Sequence, residues 1–288
     1  MLLLFTILVN GLIGVLFKLF KTYGVDNLQA IIVNYFVCVI TGTIVYQQAV
    51  VTPEIIHQPW FPYAVILSFL FISIFNVVAI TVQRLGILVT TLFQKMSLVW
   101  PTIFGIIVYH ETTGLYKLIG IVFAFISIFL INYSPEIKIN KKRLLGLGTL
   151  LAALTWVGSG LIELFLYYVK AEGLTEGRDI LFTSTLFFLA GINGTIFFAL
   201  RSFWQKPTLE VKNLIGGIVL GIPNFFSIYW ILVLLDRGME ASTLFPIMNV
   251  GVLVMNAILG VTVFKESLGL VRSIGLGLAL GAIILLVL

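Results

Sequence analysis

Val89-Thr90-Thr91-Leu92-Phe93-Gln94-Lys95-Met96 opens one long apolar run of this chain, and Ala241-Ser242-Thr243-Leu244-Phe245-Pro246-Ile247-Met248 opens another. Each follows an arginine, in Gln83-Arg84 and in Asp236-Arg237. Each run ends in a short acidic turn, His110-Glu111-Thr112 in the first and Lys265-Glu266-Ser267 in the second. Beyond the turns, Leu115, Lys117 and Gly120 recur as Leu270, Arg272 and Gly275. One shared T-L-F would be weak. Matches at the start of a segment, at its end and in the next segment, in one order, mark an internal duplication rather than the chance likeness of apolar segments.

Outward from these anchors the chain is apolar almost throughout. Hydrophobic residues make up 60% of it and charged residues 10%, with a mean hydropathy of +1.14. A soluble domain carries about 25% charge and needs a polar exterior that this composition cannot supply. In lipid only helices and closed barrels satisfy every backbone group. The runs are continuous and do not alternate, which excludes barrel strands. Ten spans are expected at about 2–20, 28–47, 62–83, 88–109, 115–133, 145–168, 180–200, 213–235, 239–263 and 268–287. The reading is an all-α membrane protein, its ten transmembrane helices forming two five-helix repeats over 1–137 and 138–288. An odd number of spans per repeat makes the second copy inverted, the arrangement that gives transporters two pseudo-symmetric gates around a midplane site. The first segment lacks a basic leader and a small-residue cleavage site, so it reads as a retained helix.

Charge supplies the orientation. Connections after even-numbered spans carry only Lys117, Lys170, Arg178 and Arg237 of the 17 Lys and Arg; connections after odd-numbered spans carry 12, and Lys95 lies inside a span. The positive-inside rule then puts both termini outside. The net charge of +5 reflects these loops and not a nucleic-acid surface, because no basic stripe with interleaved aromatics occurs. The lone Cys38 allows no internal disulfide.

A charge within hydrocarbon costs about 2.5–3.5 kcal/mol on insertion scales, so it faces protein or water and usually has a task. Lys95, two turns into span 4, and Glu163, central in span 6, are the two such residues. Polar residues line up on single helix faces beside them: Thr91, Lys95 and Thr102 on span 4; Trp156, Ser159, Glu163 and Tyr167 on span 6; Asn249 and Asn256 on span 9. Asn10 with Lys18 on span 1, Asn76 on span 3, and Asn224 with Tyr229 nearby on span 8 continue the pattern. Trp100 and Trp156 would stack on apolar parts of a ligand. The competing role for each asparagine is an interhelical hydrogen bond, and for Lys95 and Glu163 a structural ion pair. Pro101, Pro223 and Pro246 fall within spans 4, 8 and 9 and predict bends there. Gly217/Gly221 and Gly277/Gly281 are small-residue pairs suited to close packing. Trp60 and Trp204, at span ends, read as interface anchors. Glu111 and Glu266 read as caps of spans 5 and 10. No H-E-x-x-H, paired intramembrane aspartates, Ser-His-Asp set or metal-ligand cluster is visible, so neither an enzyme nor a cofactor or metal is expected.

The length, the five-plus-five duplication, the acidic turns after spans 4 and 9, and Leu98-Val99-Trp100-Pro101 together resemble the ten-helix, EamA-like branch of the drug/metabolite transporter superfamily. Family members often have glycine before the acidic residue, where this chain has His110 and Lys265. The resemblance implies that spans 1, 3, 4, 6, 8 and 9 face a central cavity while spans 5 and 10 pack against each other. It also implies cytoplasmic termini, against the charge count. The expected function is alternating-access transport of a small polar metabolite, an amino acid or related organic ion, with proton coupling and amino acid export as options. Lys95 would meet a carboxylate, and Glu163 an amine or a coupling proton. The alternatives are a flippase for a lipid-linked substrate and a non-transporting scaffold. The expected partners are a small-molecule substrate and membrane lipid, with no nucleic acid and with a homodimer as an option. The expected location is a bacterial inner membrane.

Overall fold

The computed structural model describes residues 1–133, 146–203, 208–263, 265 and 269–288. Among them lie eleven α-helices and one 3-10 turn, Pro53–His57. The helices are α1 (Leu2–Tyr23), α2 (Asn27–Tyr46), α3 (Phe61–Leu85), α4 (Ile87–Met96), α5 (Val99–Val108), α6 (Leu115–Asn132), α7 (Leu147–Ala171), α8 (Asp179–Ser202), α9 (Val211–Asp236), α10 (Ala241–Thr262) and α11 (Leu270–Val287). With α4 and α5 taken as one stretch, Ile87–Val108, ten segments are long and apolar enough to cross a membrane. Their outward faces carry Ile44, Ile107, Leu115 and Ile284, each more than half exposed. A face of this kind suits a hydrocarbon solvent and not water. Glu266 and Trp204 lie outside the described residues.

The chain forms two compact units. Each takes helices from both halves of the sequence, so neither coincides with a repeat.

The first unit comprises Met1–Ile72 and Val169–Arg237. Here α9 lies against α2 at very short range. A Cβ on Gly217 would sit 2.5 Å from Val33 Cβ and 2.6 Å from the Ala30 carbonyl; one on Gly221 would sit 2.4 Å from Val37. The expected small-residue pair is therefore the seam of this contact. One end of the seam is tied by polar groups. Asn213 accepts from the Asp26 amide (2.8 Å) and donates to Gln29 (2.9 Å), whose amide donates to the Thr208 carbonyl (3.0 Å). Trp60 is not an interface anchor. It is fully buried, edge-on to Phe182 at 5.7 Å, because the connection after α2 folds back and packs Val50, Ile55 and Trp60 inward.

The second unit comprises Ser73–Tyr168 and Gly238–Leu288. Its core holds Leu98, Ala124, Ile128, Val250, Leu253, Ala279 and Ala282. The dominant pairing joins α6 and α11, the fifth and tenth spans. A Cβ on Gly120 would stand 2.8 Å from Leu286 and 3.2 Å from Leu285, and one on Gly275 would stand 2.9 Å from Leu130 and Ile131. Gly120 of α6 thus admits α11, and Gly275 of α11 admits α6. The pair Gly277/Gly281 does not play this part: among the described residues none comes within 4 Å of a Cβ placed at Gly277, and Phe123 alone does at Gly281.

Candidate functional site

The fourth span is two helices because of one missing hydrogen. Pro101 has no N–H for the carbonyl four residues back, Ser97. The Ser97 carbonyl takes the Trp100 amide instead, at 3.0 Å. That shift leaves the Met96 carbonyl without its regular partner, and the indole N–H of Trp156 donates to it from α7 at 3.1 Å. The chain therefore breaks at Ser97-Leu98, one turn before the proline, and Trp156 splints the break. Its ring lies 5.0 Å from that of Trp100. Gly160 makes room for Trp100, since a Cβ there would stand 2.0 Å from the indole Cδ1. Pro223 and Pro246 sit inside α9 and α10 without dividing them.

Glu163 lies two turns along α7 from Trp156. Its Oε1 accepts a hydrogen bond from Asn249 Nδ2 on α10 at 3.0 Å, and the same amide donates to the Phe245 carbonyl. Its Oε2 is buried with no hydrogen-bond partner among the described residues. Lys95 interacts with this carboxylate through its charge, and Ser97 adjoins it. No ion pair within 4.0 Å joins Lys95 to Glu163, so the structural ion pair weighed from the sequence is absent between these two described residues. Trp100 Nε1, Thr102 Oγ1, Ser159 Oγ and Asn256 Oδ1 are likewise buried without hydrogen-bond partners among the described residues. All belong to the second unit, on α5, α7 and α10. An unmet buried polar atom costs about 1–3 kcal/mol, and native proteins keep few of them without a reason.

The candidates from sequence divide between the units. Asn76, Lys95, Trp100, Trp156, Glu163, Asn249 and Asn256 belong to the second, where Trp100 meets Trp156 and Glu163 meets Asn249. Asn10, Asn224 and Tyr229 belong to the first. There Asn10 donates to the Thr6 carbonyl of its own helix (2.9 Å), Asn224 contacts Cys38 Sγ (3.8 Å), and Tyr229 stacks on Phe225 (5.7 Å).

Glu111 does something the sequence did not suggest. It does not cap the fifth span, whose N-cap is Gly114. Its Oε1 accepts from the Ala241 amide (2.7 Å) and from the Tyr167 hydroxyl (2.7 Å); its Oε2 accepts from the Ser242 amide (2.8 Å) and the Ser242 hydroxyl. It is the N-terminal cap of α10, supplied from 130 residues away. Beside it, Glu240 accepts from Lys117 and from the Thr112 amide and hydroxyl. Burial pushes the Glu240 carboxyl up, but these hydrogen bonds and the Lys117 charge outweigh it and hold the group below its ordinary 4.5.

A second feature adjoins Trp156: a cavity of about 340 Å³ lined, among the described residues, by Leu92, Phe93, Met96, Val99, Phe125, Phe129 and Trp156.

No family model matches this sequence. An uncharacterized protein of Haemophilus influenzae is 28% identical over 289 residues, spanning 98% of this chain and 95% of that protein. A protein of known crystal structure shares the fold with a TM-score of 0.78 at 12% identity, over 99% of this chain and 94% of the other.

Proposed function

We propose that this chain is a secondary transporter of a small zwitterionic or anionic metabolite, working by alternating access in a bacterial inner membrane. The observation that carries the reading is the Glu163 carboxylate. One oxygen is fixed by Asn249 and the other, beside Ser97, meets no hydrogen-bond partner among the described residues, with Lys95 near enough to interact and not paired to it. A structural ion pair would close on itself. This arrangement leaves an acceptor for a ligand amine and a cation for a ligand carboxylate. Trp100 Nε1, Ser159 and Asn256 add further unspent hydrogen-bonding capacity in the same unit.

The ten apolar segments, the duplicated anchors and the α6–α11 pairing support a five-plus-five inverted repeat of the EamA-like kind. Amino acids and related organic ions fit the pairing of Glu163 with Lys95. Glu163 is also the group placed to exchange a ligand amine for a coupling proton.

The test is uptake or counterflow in proteoliposomes with amino acids and organic anions. Lys95→Ala and Glu163→Gln are expected to abolish it with the fold intact. Normal transport by both variants would remove this site from consideration. The apolar cavity beside Trp156 favours a second reading, a flippase for a lipid-linked substrate. On that reading, mass spectrometry of the purified protein should find one retained lipid class that filling the cavity with Val99→Trp displaces.

A further inference from the structure

The helix that carries Asn249 begins in an unusual way. The first amides of a helix need partners, which the residue before it usually supplies. The N-cap of α10 is Glu240, and its side chain makes no capping bond because it is engaged with Lys117 and Thr112. Glu111 takes the duty. A local cap joins nothing; a cap from another segment fastens two parts of the chain together.

The same carboxylate also holds Tyr167. Tyr167 is one turn beyond Glu163 on α7, and Ala241 is about 12 Å along α10 from Asn249 at 1.5 Å per residue. The two helices that meet at Glu163–Asn249 therefore meet again at Glu111, toward the start of α10. Three features of the sequence serve this second meeting. Gly105 leaves the space: a Cβ there would stand 2.6 Å from the carboxyl carbon of Glu111. The Glu111 amide donates to the Gly105 carbonyl at 3.2 Å, folding the turn back on α5. His110 adopts a left-handed φ of 53° to permit that fold.

We propose that Glu111 is a latch on the site. Bound to the N-terminus of α10 and to Tyr167, it holds the site shut toward the side shared by the connections after the fourth and eighth spans. Released, it lets α10 and α7 part there and admits the ligand. Every bond it makes is to an amide or hydroxyl near a helix end, where water can replace the carboxylate as acceptor, so opening leaves no group stranded. This rests on the transport reading and adds which contact regulates access.

The experiment is a labelling rate in reconstituted vesicles. A reporter thiol is introduced by Ser159→Cys; Cys38 is fully buried and gives the background. A membrane-impermeant cationic methanethiosulfonate is applied to each face in turn. With Glu111→Gln, the rate should rise from one face only, by about tenfold or more, the population change that goes with losing one charge-assisted hydrogen bond. Gly105→Ala, which expels the carboxylate without removing it, should do the same. Tyr167→Phe should give a smaller rise from the same face, and it carries the test if the other two variants do not fold. Unchanged rates, or equal rises from both faces, overturn the latch and leave the carrier reading standing, because Glu111 would then be a plain staple. A thiol that no variant exposes to either face overturns the latch and the carrier reading together.

Discussion

His110 stands in a conformation that suits glycine. Its φ of 53° is matched by Lys265, with φ 54°, in the turn before α11. A left-handed conformation costs a residue with a Cβ roughly 1–2 kcal/mol. His110→Gly should therefore raise the melting temperature of the purified protein, a gain of about 1 kcal/mol at most, since glycine also loosens the unfolded chain. His110→Val, β-branched, should lower it. Asn249 makes a different demand. Its side-chain amide donates to Glu163 Oε1, so on the transport reading Asn249→Leu should abolish uptake while the circular dichroism spectrum stays helical, and Asn249→Asp should fail as well by setting two carboxylates together. Glu163 and Asn249 were both legible in the sequence as polar residues on otherwise apolar helices. Glu111 was legible as an acidic cap but not as a cap of α10. Capping is read from neighbours along the chain, and this donor and acceptor are 130 residues apart.

The helix break makes a separable prediction. Trp156→Phe removes the indole N–H from the Met96 carbonyl and should cost about 1 kcal/mol or more, the value of a buried hydrogen bond with its acceptor left unmet. Pro101→Ala restores the amide that Ser97 lacks, so the Trp100 amide can return to Met96. In that background Trp156→Phe should cost less. A double-mutant cycle in thermal unfolding checks the coupling, and additive effects would mean that Trp156 only fills space. The proline announced the bend; its position one turn upstream follows from the acceptor four residues back, and the rescuing indole belongs to a different helix. The clasp of Lys117 on Glu240 has its own signature. Because the folded-state pKa of Glu240 is depressed, its contribution to stability is present above pH 4.5 and is lost as pH falls through the lower folded value. The melting temperatures of the parent protein and Glu240→Gln should therefore differ most near neutrality and converge in acid.

At the scale of the whole chain, the ten segments could be read directly, since length and apolarity decide them and the observed ends fall within about four residues of expectation. The pairing of the fifth and tenth could be anticipated from resemblance. The division into units could not: it runs through α3 and α7 and assigns Asn224 and Asn249 to different bodies. Small residues such as Gly217 and Gly221 mark a helix that another can approach closely, but they do not name the partner, because large apolar residues recur on every helix.

Lys170 shows what such a body gains from a few charges. Its ammonium, almost wholly enclosed, donates to Asp179 at 2.9 Å, Asp236 at 2.8 Å and Thr175 at 3.1 Å. Those contacts lie at the close of α7, the opening of α8 and the close of α9. The first two placements suit the helix dipoles, and the third, an anion at a C-terminus, is tolerable only beside a cation. Three helix termini thus share one counterion. In deuterium exchange they should fray as a single cooperative event, and one substitution, Lys170→Met, should release all three at once.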